Sequence, residues 1–157
     1  MSIERVQRFL AEHAPETTVT VLAKNTATVA LAAEAFGVES GQIAKTLSLR
    51  VGDKALLVVT RGDVRLDNKK LRHVFGGKAK MLDAESVLAL TGHPVGGVCP
   101  FGLATELPVY CDILLRDFDV VMPAAGSANS TVRIAPERLA SLVKASWVDV
   151  SQVSQQE

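Results

Sequence analysis

Apolar and polar residues follow two different periods along the chain, and these periods separate predicted helices from predicted strands. A helical period begins after Ser2, a predicted N-cap, and places Ile3, Val6, Phe9 and Leu10 on one face. This spacing predicts a short amphipathic helix at the start of the chain.

Four further helices are predicted from the same period and from residues that favour helix ends. Residues 27–36 are followed by Gly37, a residue suited to the end of a helix. Asp67 and Asp83 are predicted N-caps of two short helices, and Pro136 suits the first turn of the last one. The apolar side chains expected to face the core are Val29, Ala32, Ala33 and Phe36 in the first of these helices, and Leu71, Val74 and Phe75 in the second.

Strands are predicted where β-branched and aliphatic residues run together between turn residues. The clearest signal is a hairpin, in which residues 45–51 and 54–61 are joined by Gly52 and Asp53. The other predicted strands are residues 17–23, 107–115, 118–124, 130–136 and 147–150. We expect the polar tail, residues 151–157, to be frayed.

The order of these elements mixes hairpins and helices without a βαβα repeat. We therefore predict one α+β domain over residues 1–157, with a mixed or antiparallel sheet and helices packed around it. Apolar residues make up 48% of the 157 residues and charged residues 22%, as in a soluble globular protein. No apolar run reaches the length of a membrane span, and the charged N-terminus does not resemble a secretory signal, so we expect a cytoplasmic protein.

The charge is unevenly distributed, although 17 basic and 17 acidic residues balance overall. Residues 61–80 contain seven Lys or Arg against two Asp, a local charge of +5. Such a segment can bind phosphates, or it can be an ordinary solvated helix face. The candidate phosphate contacts are Arg65, Lys69, Lys70 and Arg72.

The candidate chemistry is concentrated in one lysine and one loop, since no familiar catalytic motif is present. Lys45 stands where a polar turn meets an apolar strand, so its amine could anchor an anion, polarise a carbonyl, or extend to solvent. Residues 92–102, GHPVGGVCPFG, form a connector or a rigid ligand-binding loop. Within it Cys99 is a candidate nucleophile if His93 acts as its base, or else a small packing residue.

The two cysteines, Cys99 and Cys111, cannot form a disulfide framework, and without a CxxC pair we predict no metal site. A second loop of small residues, 124–130, offers the hydroxyls and amide of Ser127, Asn129 and Ser130. Two such loops and one lysine indicate recognition by hydrogen bonds rather than by a strong acid–base pair.

Four stretches of the chain, in this order, are similar to the YbaK/EbsC family, the free-standing relatives of the editing domain inserted in bacterial prolyl-tRNA synthetases. They are AAEAFGVESGQIAKTLSL, RGDVRLDNKKL, KMLDAESVLALTGHPVGGVCPFG and AAGSANSTVRIAPERL. The resemblance covers roughly residues 20–145, and the joint presence of the KTL lysine and the GGxxPxG loop makes it specific.

The resemblance implies an α/β fold with a mixed, barrel-like sheet surrounded by helices. It implies hydrolysis in trans of mischarged aminoacyl-tRNA, most typically that of proline, with no metal or cofactor. The partners would be the tRNA acceptor end and a prolyl-tRNA synthetase. Lys45 would lie at the terminal nucleotide and the aminoacyl ester. The residues implied around the aminoacyl group are Gly96, Gly97, Val98, Cys99, Pro100, Gly126, Ser127 and Thr131, with His93 at the rim.

Two departures from the family pattern widen the range of substrates that we expect. Cys99 stands where the family often has serine, and Thr131 stands where cysteine-removing members have an acidic residue. The amino acid removed is therefore open among cysteine, alanine, serine and threonine. The alternatives are a non-catalytic module that binds tRNA or a synthetase, and a thiol hydrolase that uses Cys99.

Overall fold

The computed structural model describes residues 2–23 and 28–153, in which helices are interspersed with single strands and hairpins. The α-helices are α1 (Ser2–His13), α2 (Val29–Phe36), α3 (Asn68–Phe75), α4 (Ala84–Thr91) and α5 (Pro136–Leu142). The strands are β1 (Thr20–Val21), β2 (Ile43–Val51), β3 (Lys54–Arg61), β4 (Val64–Leu66), β5 (Ala79–Met81), β6 (Val109–Asp112), β7 (Met122–Pro123), β8 (Ser130–Thr131), β9 (Ser146–Val148) and β10 (Ser151–Val153). Two 3₁₀ helices cover Ser40–Gln42 and Ile113–Asp117.

The main sheet is built on the predicted hairpin, in which β2 pairs antiparallel with β3 and Val51 lies opposite Lys54. The strand order is β5-β2-β3-β6-β9, with β5 antiparallel to β2, and with β6 and β9 added in parallel. The short strand β7 pairs in parallel with the beginning of β2. Two smaller pairs, β1 with β8 and β4 with β10, complete the structure. The predicted mixed sheet flanked by helices is confirmed.

Alternate residues of β3 divide the core between the two faces of the sheet. Leu57 and Val59 belong to the largest apolar cluster, which also contains residues of α1 and α5. Leu56 and Val58 face the other side and pack in a cluster with Leu71 of α3. A third, smaller cluster joins α2 to β2 and β7. The period of two along β3 thus places a separate core on each face.

The predicted helix ends are mostly confirmed. The carboxylate of Asp67 accepts hydrogen bonds from backbone N–H groups at the start of α3, and that of Asp83 accepts one at the start of α4. Gly37 takes the left-handed conformation after α2. The prediction for Val74 was wrong, because α3 buries its face around Leu71 and leaves Val74 exposed. Residue 27, the predicted start of the second helix, lies outside the described residues.

The predicted strands outside the hairpin were too long. Within 107–115 the strand ends at Asp112, whose carboxylate accepts from the N–H of Leu114 and begins a 3₁₀ helix. Residues 17–23, 118–124 and 130–136 keep only the two-residue strands β1, β7 and β8. The prediction of a frayed tail was wrong for Ser151–Val153, which pairs with β4. Residues 154–157 lie outside the described part. In this part, no helix is long and apolar enough to cross a membrane.

Candidate active site

A gap in the sheet beside β2 forms the candidate site. On this edge β7 covers Ile43 and Ala44, while β5 covers Leu49–Val51. Between them lies a cavity of about 310 Å³, with α2 on one wall and Val95, Gly96 and Val98 on another. The remaining residues that line it include Lys45, Thr46, Leu47, Ser48, Met81, Leu82, Val87, Met122, Ala124, Ser130 and Thr131. We call this cavity the slot.

Lys45 brings a positive charge to the slot and is the one Lys or Arg among the described residues that line it. Its side chain is half-buried, and its Nζ donates a hydrogen bond to the carbonyl oxygen of Val64 at 2.6 Å. Burial lowers the pKa of the Lys45 amine from its ordinary value, and the negative charge of Asp63 partly opposes this change. The amine is therefore held in place and only partly solvated.

The turn between β3 and β4 fixes the acidic neighbour of Lys45. The guanidinium of Arg61 forms two hydrogen bonds with the carboxylate of Asp63, at 2.8 and 2.6 Å. It also donates to Asp117 at 2.7 Å and lies over the ring of Phe118. At Gly62 an added Cβ would lie 2.5 Å from a backbone oxygen, so this turn is tightly packed. Asp63 is thus held rigidly where its charge acts on Lys45.

The two glycine-containing loops pack against each other backbone to backbone. The N–H of Gly126 donates to the carbonyl of Gly97 at 3.0 Å. A Cβ at Gly97 would lie 2.5 Å from the backbone nitrogen of Ser127, and one at Gly126 would lie 2.8 Å from the carbonyl oxygen of Ser2. Only glycine permits such close approach. The resulting stack on α1 positions residues 95–98 at the slot.

His93 and Cys99 lie behind this loop, and both are fully buried. The Nε2 of His93 lies 2.7 Å from the carbonyl oxygen of Phe101, so it carries the proton, and Nδ1 accepts from the hydroxyl of Ser2. The thiol of Cys99 lies 3.7 Å from the same Nε2. Since this nitrogen is already a donor, it cannot serve as a base for the thiol.

The thiol of Cys99 is therefore expected to be catalytically silent, because burial raises its pKa to about 12. For the hydrolysis that the family resemblance implies, we predict that Cys99→Ser keeps its rate within about threefold of wild type, and that iodoacetamide does not inactivate the protein, since a nucleophile must be an accessible thiolate. A loss of about 1,000-fold or more in Cys99→Ser, with an unchanged fold by circular dichroism, would restore the thiol to the mechanism.

The other predicted aminoacyl-site residues divide between the slot and its support. Gly96, Val98 and Thr131 line the slot, and the hydroxyl of Thr131 donates to the carbonyl of Pro123 at 2.7 Å. The hydroxyl of Ser127 lies 2.7 Å from both Asn129 Oδ1 and Ser130 Oγ. The residues placed behind the lining are Gly97, Pro100, Gly126 and Ser127, together with His93 and Cys99.

The predicted phosphate contacts lie on β4 and α3. Arg65, Lys69 and Arg72 are exposed, whereas the Nζ of Lys70 binds the carboxylate of Asp149 at 2.9 Å. Since Arg65 directly follows the carbonyl that accepts from Lys45, the basic surface begins next to the lysine of the slot. We call these four residues the basic patch.

The α2 wall and Thr46 were not predicted from the sequence as site residues. Val29, Ala32 and Phe36 were predicted as core residues, and the structure places them both in a core cluster and at the slot. Thr46 follows Lys45 directly, but its importance depends on the gap between β5 and β7, which no local pattern shows. Within residues 2–23 and 28–153, no three His, Cys, Asp or Glu side chains are grouped so as to hold a metal ion.

Comparison with known proteins assigns this architecture to a family. Residues 23–142 match the family model of the aminoacyl-tRNA editing domain. The uncharacterized protein YwhH of Bacillus subtilis is 45% identical over 152 residues, which cover 96% of this chain and 97% of that protein. The proline–tRNA ligase of Shouchella clausii is 34% identical over 116 residues. The aligned region covers 71% of this chain but only 20% of that ligase.

Solved structures show the same fold over nearly the whole chain. The crystal structure of a proposed trans-editing enzyme for prolyl-tRNA synthetase superimposes with a TM-score of 0.90 at 35% identity, covering 96% of this chain and 97% of that one. The hypothetical protein APE2540 superimposes with a TM-score of 0.87 at 30% identity, covering 94% and 99%. On this evidence, the chain belongs to the aminoacyl-tRNA editing domain family.

Proposed function

We propose that this protein is a trans-acting aminoacyl-tRNA deacylase, which hydrolyses the ester of a proline tRNA that carries a wrong small amino acid. The observation that carries the proposal is the slot itself, where one half-buried lysine amine stands beside a glycine-built loop at an open sheet edge. The relation to editing domains of proline–tRNA ligases supports the same substrate. Cytoplasmic aminoacylated tRNA would be its partner, with a prolyl-tRNA synthetase as a second.

The size and walls of the slot suit a small aminoacyl group. A cavity of about 310 Å³ lies at the low end of small-molecule sites, which span about 300–1,000 Å³. Apolar side chains from α2 and Met122 form one wall. Such walls limit the size of the amino acid but discriminate weakly between side chains that differ by one methyl or hydroxyl group. Cysteine, alanine, serine and threonine therefore all remain candidates.

The proposed mechanism needs little from side chains, since an aminoacyl ester is already activated. Lys45 would bind the terminal nucleotide and stabilise negative charge on the ester as water attacks. Residues 96–100 would orient the aminoacyl group through their backbone. The basic patch would bind acceptor-stem phosphates, a contact that weakens with salt and is independent of sequence.

The direct test is a panel of proline tRNAs charged with cysteine, alanine, serine, threonine or proline. We expect release of at least one small wrong amino acid and retention of proline. If all five esters survive micromolar protein while the charged tRNA still binds, the chain is a non-catalytic binding module and the deacylase proposal is wrong. Inactivation by iodoacetamide would instead support the thiol hydrolase.

The rate of deacylation should depend on pH through Lys45. Because burial lowers the pKa of its amine while Asp63 raises it, we expect Asp63→Asn to lower that pKa further. The protonated amine is the useful form, so activity should decline with rising pH, and at a lower pH in Asp63→Asn than in wild type. Enzymatic rates after subtraction of spontaneous ester hydrolysis measure this shift.

The matched control is Asp117→Asn, which removes the other carboxylate bound by Arg61 and leaves Asp63 charged. We expect its pH profile to resemble that of wild type. Equal shifts in both variants would mean that Arg61 packing, rather than the charge of Asp63, controls the lysine.

A further inference from the structure

The hydrogen-bonding pattern of β2 determines which of its backbone groups face the slot. A two-residue turn joins Val51 to Lys54, and in such a hairpin the closing pair exchanges its hydrogen bonds. Odd-numbered residues of β2 therefore form their backbone hydrogen bonds with β3. Even-numbered residues direct their N–H and C=O groups to the outer edge. The N–H of Leu82 donates to the carbonyl of Ser48 at 3.0 Å, which confirms this alternation.

Both strands on the outer edge stop pairing with β2 before they reach Thr46. On one side the pairing with β5 ends as the chain enters α4, whose N-cap is Asp83. On the other side β7 ends at Pro123 and pairs only with Ile43 and Ala44. In the described part of the chain, no strand covers Thr46 on this edge.

The side chain of Thr46 has an unused polar atom at the same place. Its Oγ1 is shielded from solvent and has no hydrogen-bond partner. Among the described residues, no other buried side-chain nitrogen or oxygen lacks one. A buried polar atom without a partner is costly, which favours a ligand that supplies one. Thr46 thus presents a backbone donor, a backbone acceptor and a free hydroxyl, and it lines the slot.

We propose that the aminoacyl group binds at Thr46 as a one-residue extension of the sheet, in the gap between β5 and β7. An α-aminoacyl group carries its amino donor and its carbonyl acceptor on adjacent atoms of the same N–Cα–C unit as a strand residue. It can therefore form the two hydrogen bonds of an antiparallel pair with Thr46. The ammonium group donates one hydrogen bond to the carbonyl oxygen of Thr46 and a second to Oγ1.

This arrangement rests on the proposed deacylase function and gives the reaction a second stabilising group. The N–H of Thr46 donates to the ester carbonyl oxygen, the atom on which negative charge develops when water attacks. Recognition through the ammonium and carbonyl groups also makes Thr46 indifferent to the side chain of the amino acid. Selection by size is then left to the apolar walls of the slot.

The test uses two non-hydrolysable amides, 3′-(L-alanylamino)-3′-deoxyadenosine and its propionyl counterpart, which lacks the amino group. Titration into ¹⁵N-labelled protein should move the amide signal of Thr46 with the alanyl compound, and the propionyl compound should bind about 10- to 100-fold more weakly. Equal affinities, or a Thr46 signal that does not move, would overturn the proposal.

Two variants separate this contact from a purely structural role. Thr46→Val should weaken binding of the alanyl compound about 10-fold and change that of the propionyl compound less than about twofold, whereas Thr46→Ser should retain both affinities. An equal loss for both compounds in Thr46→Val would contradict the assignment.

Binding and hydrolysis also fail independently. Binding at Thr46 without hydrolysis of any ester refutes the deacylase and leaves the edge site standing. Hydrolysis of an ester without a contact at Thr46 refutes the edge site and leaves the deacylase standing.

Discussion

Replacement of Lys45 by alanine should lower the rate of deacylation by roughly 100- to 1,000-fold. The amine is the one cationic group among the described residues that line the slot, and it is only partly solvated. A charge in such surroundings stabilises a developing oxyanion more than a solvated charge does, because less water competes for it. Single-turnover rates on the proline tRNA panel measure the loss.

The control for this substitution is Lys54→Ala, which removes an exposed lysine from the other strand of the same hairpin. We expect that variant to keep its activity within about twofold. Lys45→Ala should also fold, since it removes only one hydrogen bond, to Val64, and adds no atom that could clash with its surroundings. A folded Lys45→Ala protein with wild-type rates would show that the charge has no catalytic role.

The parts of the fold that the sequence could predict are those fixed by neighbouring residues. The hairpin follows from a two-residue turn between β-branched segments, and the caps of α3 and α4 follow from Asp67 and Asp83. Lys45 was singled out because it stands where a polar turn meets an apolar strand, and because it matches the lysine of the family that the sequence resembles. Each of these signals acts within a few residues, so a single sequence displays it.

The gap that makes the slot could not be predicted in the same way. It depends on where β5 and β7 stop pairing with β2, and these are strands of three and two residues that are distant in sequence. Strands so short are defined by their partners rather than by their own composition. For the same reason Thr46 was overlooked. The chemically reactive side chains of His93 and Cys99 were considered instead, although both are buried.

Replacement of Gly97 by alanine should reduce both stability and activity. The added Cβ would lie 2.5 Å from the nitrogen and 2.6 Å from the Cα of Ser127, and backbone atoms cannot rotate aside. Overpacking of this kind costs about 3 kcal/mol in the free energy of unfolding. Relief requires the two loops to separate, which would break the bond from Gly126 to Gly97 and displace residues 95–98 from the slot. We therefore expect deacylation to fall by at least about 10-fold even at temperatures where the variant is folded.

The comparison that isolates this contact is Gly77→Ala. Neither glycine has a positive φ, so an alanine at either position introduces no backbone strain of the left-handed kind. At Gly77 the new Cβ would meet only a side-chain methyl of Val51, at 3.2 Å. We expect a change of less than about 1 kcal/mol and full activity there. Chemical denaturation and initial rates on both variants decide the matter. If Gly97→Ala behaves like Gly77→Ala, the stack of the two loops does not position the slot, and the aminoacyl group must be oriented from β2 alone.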